Sequence, residues 1–367
     1  MTAVGETSPL LEGSRAKCHH KSRKVKFAGL IFVFSLISVF GYVTLSRMNY
    51  LENFNAAFPS ALSPIKLRIY TNNIRFDNNY GDPLERPWSL RKDSVSSSII
   101  FNTDLGSSNV VCLQEVLSNQ LSDILYTLND NGENYDWNYY GVGRTDGIAS
   151  GEYSPILFKE SEWRLLDSKT FWLSETPDVP SKGWDAALER IVTMITVQSK
   201  SNPTVILNFF NTHFDHRGKM ARRMSLKLII SKMKNYNSYP SFLCGDFNTQ
   251  PKDEPYHILT KSGFKDSRVL IDYAHKYGHE STFTGFDKHN EARSIIDYIW
   301  APYFAENGYT PSSIESSEWI NFFNLNHHEK YKIKITSFAV LQNFFHNFYF
   351  SDHRPVVADY EVSRLIF

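Results

Sequence analysis

The chain has 367 residues, 42% of them hydrophobic, 21% charged and a high 15% aromatic, and its formal net charge is +0 at pH 7. That composition excludes a disordered or low-complexity chain and supplies ample material for a core. Arg15, Lys17, Lys21, Arg23, Lys24 and Lys26 face only Glu6 and Glu12 in the first 26 residues, a net of +4, so the remainder is about −4, the wrong sign for a domain that tracks a polynucleotide backbone.

In chain order, residues 1–26 read as a basic tail. Residues 27–46 (FAGLIFVFSLISVFGYVTLS) carry no charge, and such a run makes a helix of roughly 30 Å, enough to span a bilayer core. It is too long for the apolar region of a typical cleaved signal peptide, and no small-x-small cleavage site follows. We therefore read it as a transmembrane signal anchor. The positive-inside rule then leaves residues 1–26 in the cytosol and makes the chain a single-pass type II membrane protein. ETSPLL (residues 6–11) resembles an acidic dileucine sorting signal, which points to an endomembrane, vacuole/lysosome or endosome rather than the plasma membrane. No Asn-x-Ser/Thr sequon follows residue 46, which permits a lumenal domain without supporting one. Protease protection of the large domain in intact vesicles tests the orientation; digestion without detergent contradicts it.

Residues 47–64 read as a stalk. Residues 65–362 read as one domain, because no repeat and no Gly/Ser/Pro linker divides them. Residues 65–70 alternate as a strand. Residues 89–102 have helical spacing through Leu90, Val95 and Ile99, residues 110–113 form a short apolar strand, and 121–128 a helix. Runs at 138–143, 155–159, 163–173, 191–198 and 204–210 are β-branched or aromatic between Gly, Pro and Asn. Residues 218–236 read as a helix through Met220, Met224, Leu228 and Ile229, and SFLCGDFNTQ (241–250) as a buried strand entering a loop. Strands over 294–300, 332–341 and 351–362 complete an α/β pattern. Cys112 and Cys244 lie inside apolar runs, where a free Cys behaves as a small hydrophobe, and no disulfide is expected.

Polar groups recur at the ends or flanks of these runs: Asn73, Glu115, His213, Asp246 with Asn248, Asp297, and Asp352 with His353. Singly, each has a structural account, such as a cap or a satisfied core histidine. Together they are best explained by one shared polar site, because burying unpaired charges costs several kcal/mol (about 3–5 for one broken buried pair). An oxygen-rich set of this kind suits a hard cation such as Mg²⁺, and no zinc-like Cys/His spacing is present.

The ordered motifs Thr-Asn-Asn73-Ile-Arg, Leu-Gln-Glu115, Asn-Thr-His213-Phe-Asp, Gly-Asp246-Phe-Asn248, Ile-Asp297-Tyr-Ile and Ser-Asp352-His353-Arg-Pro resemble the endonuclease/exonuclease/phosphatase (DNase I-like) superfamily. Phe-Trp-Leu-Ser-Glu-Thr-Pro177 and Lys-Gly-Trp184-Asp-Ala-Ala resemble a poorly characterised branch of it. The resemblance implies a four-layer α/β sandwich and Mg²⁺- or Mn²⁺-dependent hydrolysis of a phosphoester. It implies Glu115, Asn73 and Asp352 around the metal, Asp246 and Asn248 on the attacking water, and His213 and His353 on the phosphoryl oxygens, with Asp297 holding His353. Arg75 stands where some nuclease members carry a further acid, and we assign it to substrate binding. With a membrane anchor and a net-negative domain, the expected substrates are small phosphoesters or lipid headgroups. A lumenal nuclease and an inactive membrane-tethered scaffold are the alternatives; no obligate protein partner is inferred. The aromatic-rich segments 319–328 and 344–350 are open between core packing and a substrate- or lipid-facing loop.

Overall fold

The computed structural model describes residues 63–78, 81–103, 106–291, 293–302 and 330–365. The basic tail, the anchor, all but the last residues of the stalk and segment 319–328 therefore lie outside the described residues. Among those described, no helix is long and apolar enough to cross a membrane.

Apolar runs without a polar face become interior strands covered on both sides. Strand β1 (Ile65–Asn73) pairs in parallel with β2 (Ser108–Gln114) through the crossover helix α1 (Trp88–Thr103). Helix α2 (Ser118–Leu128) follows, then β3 (Trp137–Tyr140) and β4 (Ile156–Lys159). The second half repeats the device: β5 (Trp163–Trp172), β6 (Ile191–Ser199) and β7 (Ile206–His213), then helix α3 (Lys219–Asn235) crossing to β8 (Ser241–Asp246), parallel to β7. Next come α4 (Glu254–Lys261), β9 (Phe264–Asp266), α5 (Ser267–Leu270), β10 (Lys276–Gly278) and β11 (Asp297–Pro302). The chain closes with β12 (Lys330–Val340), the hairpin β13 (Phe344–Phe345) and β14 (Phe348–Tyr349), and β15 (Val356–Leu365). One sheet has the order β10-β12-β15-β1-β2-β4-β3 and the other β5-β6-β7-β8-β11-β9.

Side-chain alternation builds three cores from these strands. Ile65, Leu67 and Ile69 of β1, Val110 and Cys112 of β2, and Phe242 and Cys244 of β8 fill the layer between the sheets. Tyr70, Val111 and Leu113 point the other way and pack with Val95 and Ile99 of α1 and Leu121 and Ile124 of α2. Phe210 and Leu243 meet Leu226, Ile229 and Met233 of α3 and Leu259 of α4. Helix, sheet, sheet, helix is the expected four-layer α/β sandwich. Cys112 and Cys244 are buried free thiols.

The expected helices form, but two of their faces are rotated. Leu90 is 57% exposed and Met220 is 48% exposed, while Trp88 and Arg91 in α1 and Leu226 and Met233 in α3 are buried. Arg91 is buried because its guanidinium donates to the carbonyls of Ile74 (2.7 Å), Arg75 (3.1 Å), Arg86 (2.7 Å) and Phe350 (2.9 Å). It thereby holds the loop after β1. The hairpin at 344–350 buries Tyr349 and Phe350 and exposes Phe345, His346 and Asn347 at its turn, so packing accounts for only part of that segment.

A buried amide ladder joins the sheets just inside the strand ends. The Asn211 side chain on β7 donates to the carbonyls of Leu113 (2.7 Å) and Pro155 (2.8 Å), and its oxygen accepts from Gln114 Nε2 on β2 (2.7 Å). Each group orphaned by breaking this ladder would cost about 1–3 kcal/mol. Glu115 and His213, one and two residues beyond it, are thereby held at fixed separation.

Candidate active site

Three neighbouring strands deliver a row of acids and a histidine to one edge. In the ladder His213 of β7 is opposite Asp246 of β8, which is opposite Asp297 of β11. Gly245 makes the β8 position possible. Its φ is +138°, and a Cβ there would stand 1.9 Å from the Thr212 carbonyl oxygen. From the other sheet come Asn73 at the end of β1 and Glu115 just past β2. Asp352 and His353 precede β15 rather than end a strand, and reach the same edge because β15 runs antiparallel to β1.

Asn73 joins the two sheets. Its side-chain amide donates to Glu115 Oε1 (2.9 Å) and Asp246 Oδ2 (3.0 Å), and its Oδ1 accepts from the Arg75 backbone N–H (3.0 Å). Asp246 Oδ1 accepts from the Asn248 backbone N–H at 2.9 Å. Asp246 Oδ2 lies 3.3 Å from His213 Nε2 and 3.7 Å from His353 Nε2. His353 Nδ1 sits 3.0 and 2.9 Å from the two Asp297 oxygens. Arg75, Glu115 and Asn248 all adopt left-handed backbone, with φ of 59°, 58° and 44°. Non-glycine residues hold that conformation only where surrounding contacts impose it.

Neighbouring carboxylates, and the two imidazoles, are pushed to opposite states. Burial raises the Glu115 carboxyl, but the Asn73 amide, the Arg75 and His353 charges and the Phe76 N–H outweigh it, and it lies below its usual range. Burial, reinforced by the Asp297 charge, pushes Asp246 up to about 7 in spite of His353. Asp352 is raised by burial and by Glu115. Burial opposes the charge on His353, yet Asp297 and Asp246 win and hold it well above the usual histidine range. His213 is held well below that range, by burial first and then by the Arg190 and Arg144 charges. His353 is therefore cationic at neutral pH and His213 neutral. Asn248 Nδ2 donates to the Phe214 carbonyl (3.0 Å) and stands 3.1 Å from His213 Nε2. Asp246 Oδ2 faces the same nitrogen, and His213 Nδ1 stands 3.8 Å from Glu152 Oε2.

All nine residues singled out in the sequence converge on this edge. Arg75 Nε is 3.3 Å from Glu85 and its Nη1 3.8 Å from Glu115, so it lies at the rim with its charge partly used. Ligand atoms of Glu115, His213 and Asp246 lie within 4.8 Å of one another, as do those of Asp246, Asp297 and His353. Asp352 belongs to neither group. Asn73 turns its amide nitrogen, not its oxygen, toward the carboxylates.

Sequence reasoning missed Arg144, Glu152, Arg190 and Asp215. Arg144 and Glu152 form a two-bond ion pair, both contacts 2.8 Å, inside the turn-rich 141–155 segment. A buried charge pair flanked by glycines was the available signal. Asp215 accepts backbone N–H bonds from Arg217 (3.0 Å), Gly218 (2.7 Å), Ala187 (3.0 Å) and Leu188 (3.2 Å) and so shapes the loop beyond His213. Burial raises its carboxyl, but these bonds and Arg190 outweigh burial and lower it from 3.8 to about 2. A depressed carboxyl contributes stability above its unfolded value, and that contribution is lost as pH falls through the folded one. Asp215→Asn should therefore lower stability by roughly 1–2 kcal/mol at pH 7, the difference from the parent shrinking as pH falls from about 4 to about 2. Urea unfolding across that pH range checks this; a gap that persists at the acid end contradicts it.

The profile of the endonuclease/exonuclease/phosphatase family matches residues 73–353. Among solved structures, the chain is similar to a family protein from Bacteroides vulgatus, with 32% identity, a TM-score of 0.66, and coverage of 81% of this chain and 99% of that one. It is also similar to a mannosyl-6-phosphatase from Bacteroides thetaiotaomicron, with 29% identity, a TM-score of 0.65, and coverage of 82% and 100%. A probable RNA exonuclease of Schizosaccharomyces pombe is 24% identical over 220 residues, which are 56% of this chain and 41% of that protein. The chain spans less than two thirds of the length of the curated relatives it matches.

Proposed function

The chain belongs to the endonuclease/exonuclease/phosphatase family, and on that premise we propose that it hydrolyses small phosphoesters with Asp246 preparing the attacking water. The observation that carries this reading is the setting of Asp246, buried among Asn73, His213 and the His353–Asp297 pair with a pKa near 7. A general base works best when its pKa lies close to the operating pH. Asp246 takes the proton of the water. Asn248, which binds the Phe214 carbonyl beside His213, holds the loop that orients it. The His353 imidazolium, fixed in tautomer and charge by Asp297, stabilises the negative charge that gathers on the phosphoryl oxygens. Neutral His213 is a hydrogen-bonding partner at the same centre, not a second cation.

The donor set fits a divalent cation: an ionised carboxylate on Glu115, with Asp246 and His213 next to it and Asp352 raised by burial and then by Glu115's charge. Such crowding of acids is relieved by a cation. Glu115 would hold it with Asp352 in support, while Asn73, whose amide nitrogen faces Glu115 and Asp246, positions those carboxylates; the bound cation would supply Lewis-acid polarisation of the phosphoryl group. Mg²⁺ or Mn²⁺ suits oxygen donors of this kind.

Similarity to a sugar phosphatase along that enzyme's whole length, together with the net-negative charge after residue 26, supports small esters over polynucleotides. The nuclease reading draws on the RNA exonuclease relative. To separate them, the full chain with Mg²⁺ or Mn²⁺ is given a mixture of a sugar phosphate, glycerophosphocholine and an RNA oligonucleotide, followed by phosphorus NMR. Loss of a small-ester signal with RNA intact is expected. Loss of the RNA diester signal makes the nuclease reading the correct one, and no turnover favours an inactive scaffold.

A further inference from the structure

On the β7 side of the Asp246 cluster stands a second polar group that the hydrolytic step does not use. Arg190, immediately before β6, is 4% exposed. Its Nη2 lies 3.2 Å from His216 Nδ1, and its Nε is 3.6 Å from Asp215 Oδ2. That carboxylate is already committed to four backbone N–H groups. Among the described residues, Arg190 Nε and Nη1 have no hydrogen-bond partner. A buried guanidinium with idle donors is costly, because every unmade bond forfeits the desolvation it has suffered. Arg144 lies on the same flank, its guanidinium anchored to Glu152, which reaches to 3.8 Å from His213. The Arg144 carbonyl accepts from Trp172 Nε1 at 2.7 Å, which fixes the loop it sits on. His216 is exposed, which gives this flank a route to solvent. Its Nδ1 accepts from Arg190, so the ring proton falls on Nε2 and adds a donor. The nearness of the two guanidiniums to the reacting centre is also felt by His213, where after burial they are the strongest influences holding the ring neutral.

We propose that Arg190, with Arg144 and His216, forms an anion subsite beside the Asp246 cluster, and that it receives a second negatively charged group, a phosphate or carboxylate, carried by the alcohol part of the substrate. This rests on the phosphoester reading above and narrows it from small esters to esters with two anionic ends. Planar guanidinium forks bind such groups with paired, charge-assisted bonds. A neutral alcohol would leave the idle donors unmet.

Two readouts on the full chain test it. The first is kcat/KM for a matched pair, 3-phosphoglycerate and glycerol 3-phosphate. The carboxylate-bearing ester should be preferred by at least about tenfold, and in Arg190→Gln the preference should collapse to within about twofold of unity, chiefly through KM. The second is equilibrium dialysis of inorganic phosphate, which needs no turnover. Two phosphates should bind per unmutated chain and one per Arg190→Gln chain. Arg190→Lys, which keeps the charge but loses the fork, should bind the second phosphate with intermediate affinity, and it guards against a variant that fails to fold. Equal loss of both esters in Arg190→Gln, or a single phosphate on the unmutated chain, overturns the subsite. Failure to hydrolyse either ester while two phosphates still bind, one of them lost in Arg190→Gln, counts against the hydrolytic reading and leaves the subsite standing.

Discussion

Asp246→Asn should lower turnover roughly 10²–10⁴-fold, the range general-base contributions span, without unfolding the chain. Asn matches the shape of Asp but cannot take a proton. Both Asp246 oxygens accept: Oδ1 from the Asn248 N–H and Oδ2 from Asn73 Nδ2. An amide therefore sets its one nitrogen against a donor, at a cost of about 1–3 kcal/mol. Against that, the substitution removes a charge whose burial is the main reason its pKa stands near 7. The two effects offset, so the thermal midpoint should move little while activity falls. Log kcat/KM of the parent should rise with pH as Asp246 becomes ionised and then level off, and the rise should move to lower pH when a bound cation favours the ionised carboxylate. The variant's residual rate should lack that limb. Near-normal turnover in Asp246→Asn would remove this residue from the reacting centre.

Glu115→Gln should have the second largest effect, and through a different property. Gln preserves an acceptor for Asn73 or for the Phe76 N–H, so the left-handed turn at 115 stays anchored. What disappears is the one carboxylate of the cluster held below its usual range, and hence the ionised group a cation would meet at neutral pH. Polarisation by a bound cation is worth several kcal/mol, so losing its principal ligand should lower turnover roughly 10²–10³-fold at a fixed metal concentration. Titration calorimetry with Mn²⁺ should show affinity weakened at least about tenfold, in the range seen when a site loses supporting ligands. Unchanged Mn²⁺ affinity with lost turnover would assign Glu115 to substrate instead.

The parts of the site that were legible in the sequence are those where local chemistry contradicts its surroundings. Val110 to Leu113 and Phe242 to Cys244 are buried runs that stop abruptly on Glu115 and on Gly245-Asp246, and a buried run rarely ends on an acid without a partner. Asn73 and His213 were visible for the same reason. Asp297 and Asp352-His353 were found by their neighbours although they begin or precede their strands. Strand direction is not encoded in an apolar run, so their side of the sheet was legible only through the ordered motifs. Arg144 and Glu152 were announced only by opposite charges among glycines, and Arg190 not at all, because they sit in irregular backbone at 141–155 and just before β6, where no period announces burial. Helix faces were misjudged at Leu90 and Met220 because apolar residues at helical spacing define a stripe without fixing its centre. In α1 the buried Arg91 shifts that centre, its cost offset by carbonyls that exist only in the folded chain.

The position at which the water attacks is the decisive point. Hydrolysis of a small phosphoester by the full chain in oxygen-18 water, read by the isotope shift in the phosphorus NMR spectrum of the product, locates the bond that breaks. An Asp246-prepared water attacking phosphorus places one heavy oxygen in the phosphate product and none in the alcohol, and Asp246→Asn slows that incorporation in step with turnover. Heavy oxygen in the alcohol, or incorporation at the parent rate in the variant, would contradict it.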